Sequence, residues 1–237
     1  MSSDQATVAE EEYLQTIYWL KEANLPITGA NIARAMQLSA PTVHEMLGRL
    51  EHDGYVKRGD DKSLEFTKSG HDHAYAVVRR HRLIERFLTD VLNIPWDDVH
   101  EEAERMEHAM SPNIEAGMLA AIGNAKTCPH GHPIEPGTRI EGVPLGDTQE
   151  GAKVTVLRFE NEAEDLLHLF KREGLEPGRQ GVVKTVDDEH LTVDFDGQTA
   201  TLTRSVAETV SVLADPSPPP RTALPEVLVL GKERYGR

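Results

Sequence analysis

The sequence predicts a mainly α chain that ends in a small β domain and begins with a winged helix-turn-helix. Three observations predict it. Apolar stripes at helical spacing run through roughly the first half. Two closely spaced short helices are followed at once by a strand, a polar turn and a second strand. From residue 152 the pattern changes to short β-rich runs divided by turn signals. A chain of 237 residues suits two or three such modules.

Residues 8–23 carry apolar Val8, Leu14, Ile17, Tyr18 and Leu20 on one stripe, and Asn24 and Pro26 end that helix. Thr28 caps a short helix to about Gln37, with Ile32, Ala33 and Met36 inward. After a tight turn at 38–40, Pro41 suits the first turn of a third helix capped by Ser39 or Ala40. Val43, Met46, Leu47 and Leu50 are its inner stripe, and Asp53-Gly54 stops it. Residues 55–58 and 63–66 form a hairpin around Gly59-Asp60-Asp61-Lys62. A long helix is predicted over 67–92, another from Pro95 over about 96–110, and another from Ser111-Pro112 to about 123. Residues 124–150 are irregular. Strands are expected at 153–159, 180–186, 191–195 and 199–203, with a helical insert at 162–173, giving a β-barrel-like domain. Pro216–Pro220 reads as a stiff spacer, and Val227–Leu230 as a possible added strand in a flexible tail.

Acids number 40 against 25 Lys and Arg, a net charge of −15 that argues against a uniform polyanion-binding surface. The charge is uneven. Residues 21–82 carry +2, whereas 83–125 carry −7. A single cysteine, Cys128, excludes an intramolecular disulfide and suits a reducing compartment. No apolar run approaches membrane-spanning length and the N-terminus does not read as a signal peptide, so the expected location is the cytoplasm, without a membrane partner.

Within the basic segment, the third helix would lie in a major groove. Its outward positions are Ser39, Pro41, Thr42, His44, Glu45 and Arg49, and Lys57, Arg58 and Lys62 put positive charge on the wing. Glu45 is placed to accept from cytosine, and equally to be a solvated acid. A winged helix used for protein contacts is the competing reading.

The acidic segment holds a metal-ligand pattern. His81 and Glu85 are i, i+4 on one helix; His100, Glu104, Glu107 and His108 follow at 0, 4, 7 and 8 on the next. Imidazole with carboxylate suits Mn(II), Fe(II) and similar ions. Glu10, Glu11 and Glu12 on the first helix add a third source of carboxylate. Solvated helix surfaces are the bland alternative. Two enzyme motifs fail. The stretch His100-Glu-Glu-Ala-Glu104 lacks the second His of a zinc-protease helix, and Arg105 stands where a di-iron Glu-x-x-His would need Glu. A metal-dependent hydrolase, or a metal-buffering or protein-interaction module with a winged helix that does not bind DNA, are therefore the alternatives. Cys128, His130 and His132 make an incomplete zinc set, and residues 128–133 read as a tight Gly- and Pro-shaped connection.

Glu12-Tyr-Leu-Gln-Thr-Ile-Tyr18, Ser39-Ala-Pro-Thr-Val43, His81-Arg-Leu-Ile-Glu85 and Val99–His108 together resemble the diphtheria toxin repressor family of iron- and manganese-dependent regulators, at near-family spacing over residues 5–125. The Pro-x-Gly-x-Pro-Ile pattern at 129–134 is also similar. The resemblance implies a homodimer on a palindromic double-stranded operator, repressing metal-uptake genes when metal is bound. It implies a winged helix at 1–74, a helical metal-binding and dimerisation domain with linker at 75–150, an SH3-like domain at 151–214 and a spacer and tail at 215–237. It places Glu12, Glu104, Glu107 and His108 on a primary metal site and His81, Glu85 and His100 on an ancillary one. Iron-type members have Met and Cys where Glu12 and Glu104 stand; manganese-type members have carboxylates at both. The oxygen donors favour Mn(II), with Fe(II) as the second choice. Manganese-type members also carry Glu at the position of Gln15, and many lack the third domain, so this chain mixes both types. Glu162, Glu164, Asp165 and His168 are candidates for third-domain ligands.

Overall fold

A computed structural model describes residues 6–59, 63–135 and 138–218. Lys62, the strand expected at Val227–Leu230 and most of the tail lie outside the described residues.

The first helix, α1 (Val8–Glu22), opens on a capping box in which Thr7 and Glu10 satisfy each other's backbone N–H groups. Helices α2 (Gly29–Met36) and α3 (Ala40–His52) are capped by Thr28 and Ser39, as their sequence suggests, and Gln37 closes α2 in the left-handed region. Strands β1 (Val56–Arg58) and β2 (Leu64–Phe66) pair antiparallel as the wing. Leu14, Ile17, Leu20, Ile32, Leu47 and Leu50 make the core of this unit.

Helix α4 (Lys68–Asp90) joins two cores. Its Ala74 and Val78 belong to the winged-helix core. Its Leu83, Ile84 and Leu88 pack with α5 (Val99–Met106), α6 (Pro112–Ala121) and Ile134. The predicted boundary at 74/75 thus falls inside one continuous helix.

Two expectations are corrected. Pro95 does not open a helix. Residues 95–98 form a turn closed by the Asp98 N–H on the Pro95 carbonyl at 2.9 Å, and α5 starts at Val99. That turn is recruited by the third domain: Trp96 stacks on Phe159 at 5.6 Å, and Asp97 pairs with Lys171. The helix also does not reach 110. It tightens into a 3₁₀ turn at Glu107–Ala109. Ser111 must be extended because Pro112 follows it, so the helix has to end first.

The third domain is a six-stranded antiparallel sheet in the order β3-β8-β4-β5-β6-β7, comprising β3 (Val143–Pro144), β4 (Lys153–Phe159), β5 (Gln180–Val186), β6 (His190–Phe195), β7 (Gln198–Thr203) and β8 (Val210–Asp215). Register shifts at 156/158 and 183/185 bend it. Helix α7 (Glu164–Glu173) covers the core, with Phe170 stacked on Phe159 at 4.4 Å, and the short α8 (Arg204–Ala207) leads into β8.

The end of α1 is tied to α4 by the Glu22–Arg82 ion pair, and Arg82 also donates to the Pro133 carbonyl at 3.0 Å. Burial opposes charge on Glu22, but Arg82 outweighs it and holds the carboxyl below its ordinary value. A lowered folded value means that the pair stabilises above about pH 4.5 and is lost as pH falls through the folded value. Glu22→Gln, which strands a buried guanidinium, should therefore cost roughly 3 kcal/mol near neutrality. Urea melts across pH should show that cost shrinking with acid; a pH-independent difference would reject this account of the pair.

Candidate metal centre

His81 and Glu85 on α4, His100 on α5 and Glu162 in the β4–α7 loop bring their donor atoms within 4.8 Å of one another, and Cys128 and His130 do the same with Glu85. His81 and Glu85 share a face because they are one helical turn apart. The Glu85 Oε1 atom lies 3.0 Å from His81 Nε2, 3.1 Å from His100 Nδ1 and 3.1 Å from His130 Nδ1. Glu162 Oε2 lies 3.1 Å from His100 Nδ1. His81 and Glu85 are completely buried.

A carboxylate in such a place requires positive charge around it. Burial opposes ionisation of both carboxyls. For Glu85, His130 and His81 outweigh it and hold the group well below the usual carboxylate range. For Glu162, Glu85 also opposes ionisation, and His130 and His100 outweigh both. Burial likewise opposes protonation of His100, yet the hydrogen bonds to Glu162 and Glu85 raise it to about 9. His81 is held well above its ordinary value by Glu85 and Glu107, again against burial. A divalent cation is the other way to compensate such a set, and the donors fit one: imidazole nitrogens and carboxylate oxygens that first-row ions accept. The buried Oε2 of Glu85 has no hydrogen-bond partner, as expected of an atom available to an ion.

Glu12, Glu104, Glu107 and His108 are placed differently. All four border one cleft of about 970 Å³ between α1, α5 and the third domain, together with Gln15 and Glu162. His108 Nε2 is 3.3 Å from Glu107 Oε1. Glu104 is 3.6 Å from His100 Nε2. Glu12 is exposed on the cleft edge, and it is Glu11 that meets His108, at 2.7 Å, while also pairing with Arg80. Glu10 is used up as the α1 cap and as partner to Arg49. The two groups of candidate ligands share a link: His81 Nδ1 donates to Glu107 at 2.6 Å, and Glu107 accepts from Gln15 of α1 at 3.1 Å.

Sequence reasoning missed two participants. His130 and His132 are buried against the centre and are more than parts of a connection. His132 Nε2 lies 2.7 Å from the Phe159 carbonyl and 3.2 Å from Glu162 Oε1. The signal was present as Cys128-Pro-His-Gly-His, but its partners lie dozens of residues away on either side. The thiol of Cys128 is pushed up to about 11 by burial. Of the third-domain candidates only Glu162 arrives. Glu164 and Asp165 are exposed, and His168 pairs with Asp98 at 2.9 Å.

The candidate DNA face is formed by Ser39, Pro41, Thr42, His44, Glu45 and Arg49, all exposed on α3. Each described cation on it has an acidic neighbour: Arg49 with Glu10, Lys57 with Glu65, Arg58 with Glu51.

This combination of a winged helix, a helical unit rich in metal donors and a β domain defines a metal-responsive DNA-binding regulator. The chain belongs to the iron-dependent repressor family: its N-terminal DNA-binding domain model matches residues 6–64, and its metal-binding and dimerisation domain model matches 67–136. It is 34% identical to the iron-dependent repressor IdeR of Mycobacterium tuberculosis, over 85% of this chain and 95% of that protein. It is 33% identical to the diphtheria toxin repressor of Corynebacterium diphtheriae, over the same shares. Among solved structures it is similar to a manganese-dependent transcriptional repressor in complex with manganese, with a TM-score of 0.79, 29% identity and coverage of 86% of this chain and 99% of that one. It is also similar to ScaR with bound Zn2+, with a TM-score of 0.72, 28% identity and coverage of 86% and 98%. These relatives favour a metal-dependent repressor over the hydrolase and buffering alternatives. Among the described residues no helix is long and apolar enough to cross a membrane.

The loop that delivers both histidines depends on Gly131. Its φ is +96°, and a Cβ there would sit 2.0 Å from the Leu157 carbonyl oxygen. Gly131→Ala should cost at least about 1–3 kcal/mol from the backbone conformation, and should weaken metal binding by displacing both rings. Thermal melts and calorimetric metal titration check this. Unchanged values in both would show that the loop is not held as described.

Proposed function

We propose that this chain acts as a homodimeric repressor of metal-uptake genes, gated by Mn(II) in the first place and Fe(II) in the second. In this reading Glu12, Glu104, Glu107 and His108 hold the activating ion, while His81, Glu85 and His100, with Glu162, hold an ancillary one. The observation that carries it is the cleft walled by α1 on one side and by Glu104, Glu107 and His108 on the other. A bound divalent ion would supply the charge that lets carboxylates of the two walls face each other. Three carboxylates and one imidazole suit a hard ion such as Mn(II).

The chain's own residues transmit the effect. Leu14, Ile17 and Leu20 of α1 share one core with Ile32 of α2 and with Leu47 and Leu50 of α3, so the position of α1 sets that of α3. Ser39 and Thr42, at the start of α3, suit phosphates, as do Lys57 and Arg58 of the wing; Lys62 carries the same charge in the sequence. Pro41, His44, Glu45 and Arg49 face the bases. A dimer presents two such helices to a palindromic operator. A coupling of about 1–3 kcal/mol changes DNA affinity 5- to 150-fold.

Fluorescence anisotropy on an operator fragment, with Mn(II), Fe(II) or chelator, tests this reading. Affinity should rise by a factor in that range with metal. Equal affinity with and without metal would sink it. Glu104→Ala and His108→Ala should remove the metal response while leaving the melting profile intact. Glu104→Cys, which replaces a hard donor with a soft one, should move the ranking toward Fe(II). An unchanged ranking would count against the ligand assignment.

A further inference from the structure

We propose that α3 seats its bare backbone at Gly48 close to the floor of the major groove, and that Glu45, one turn before it, accepts a hydrogen bond there directly from the exocyclic amine of a cytosine. Each half-site then depends on one C·G pair. This rests on the DNA reading given above.

Gly48 lies inside α3 and is exposed. Glycine in a helix interior carries an entropic cost that alanine does not. Where packing within the chain demands a helical glycine, the cause is visible: a Cβ at Gly70 would sit 1.8 Å from the Tyr55 carbonyl oxygen. A Cβ at Gly48 would meet nothing within 4 Å. No described residue therefore requires the missing side chain, whereas a surface that closes on the helix from outside does.

The position of Gly48 on the helix says which surface. Val43, Leu47 and Leu50 bury one side of α3. Pro41, His44, Glu45, Gly48 and His52 follow one another at spacings of up to four residues on the other side, and all are exposed. A helix with its side chains is about 10–12 Å across, and the major groove is about 12 Å wide. Trimming the outward line to a hydrogen at one point lets the backbone approach. It brings a side chain of glutamate length, one turn away, to the base edges without a bridging water.

Glu45 is a carboxylate kept free for a donor. Of the acids on α3, Glu51 pairs with Arg58 at 3.0 Å, whereas Glu45 makes no hydrogen bond or ion pair with a described residue. Arg49 stands four residues later, a spacing at which Glu and Arg pair well on a helix. It reaches Glu10 instead, at 3.3 Å. A free carboxylate on a face that meets a polyanion repels it unless a donor is waiting. The major groove offers two base amines, N4 of cytosine and N6 of adenine. Adenine sets its N7 acceptor beside the amine, against the second carboxylate oxygen; cytosine has no such acceptor. Glutamate thus selects cytosine, where the amide of a glutamine would pair with both groups of adenine.

Selection from a randomised duplex library by the full chain with Mn(II), followed by anisotropy titration of the enriched duplex, tests this. The wild-type chain should enrich a half-site with one invariant C·G pair. Replacing that cytosine by 2-pyrimidinone, which lacks the amine, should weaken binding roughly tenfold. Glu45→Gln should change that position from C to A, leave the rest of the motif as it was, and be indifferent to loss of the amine. Gly48→Ala should melt no lower than the wild type, because alanine is the better helix former and has room. It should nevertheless bind the enriched duplex about tenfold more weakly. A motif without an invariant C·G pair, or one unchanged by Glu45→Gln, would overturn the reading of cytosine. Gly48→Ala binding as tightly as the wild type would overturn the close seat. Enrichment of no sequence with Mn(II) would sink the DNA reading itself, and this proposal with it.

Discussion

The carboxylate of Glu85 is the constraint around which the three units meet. It sits completely buried on α4, at the depth of the second core, where an uncompensated charge costs several kcal/mol. Helix α4 compensates part of it with His81, one turn away. The rest must come from elsewhere in the chain: His100 from α5 and His130 from the loop at 128–134, while the β4–α7 loop brings Glu162 as a second carboxylate that needs the same partners. Each of those segments reaches its place only if its own unit is folded and docked. Trp96 on Phe159, Asp97 on Lys171 and Arg82 on the Pro133 carbonyl are the packing and polar contacts that make the docking specific. The units are thus joined by a shared electrostatic requirement as well as by apolar contact.

That requirement is coupled to the cleft beside α1. His81 touches both groups of candidate ligands, with Nε2 toward Glu85 and Nδ1 toward Glu107, and Glu107 accepts from Gln15 on α1. His81 is thus the side chain through which the buried carboxylate and the cleft carboxylate are joined. The link is two side chains long and needs no diffuse pathway. It also gives a physical role to Gln15: a neutral donor toward Glu107 where a carboxylate would repel it.

The helices and the wing were legible because their signals are local. Thr28, Ser39 and Thr67 announce helix starts, and stripes such as Val43, Leu47 and Leu50 announce buried faces. The His81/Glu85 and His100/Glu104 pairings were legible for the same reason. What stayed hidden depends on contacts across the chain. Pro95 looks like a helix start until the third domain takes Trp96 and Asp97. Strand β8 (Val210–Asp215) is visible only from its place between β3 and β4. Glu162 was one acid among four near the start of α7, and nothing local separates it from Glu164. His130 and His132 carried a donor signature, but the carboxylates that complete it are 45 residues before His130, at Glu85, and 30 after His132, at Glu162.

The same distinction applies to charge. A net −15 is a property of the whole chain, whereas a protein meets DNA through a face. On that face Arg49, Lys57 and Arg58 already have acidic neighbours, but each of these cations is at least 40% exposed, and exposed pairs are worth only about 0–1 kcal/mol. Exchanging such a partner for a phosphate is therefore inexpensive. The acids that would repel DNA most densely lie on and behind the cleft, where bound divalent ions would neutralise part of them. In the function proposed above, metal acts twice on one equilibrium: through shape, by fixing α1, and through the field, by removing negative charge from the molecule that must approach a polyanion.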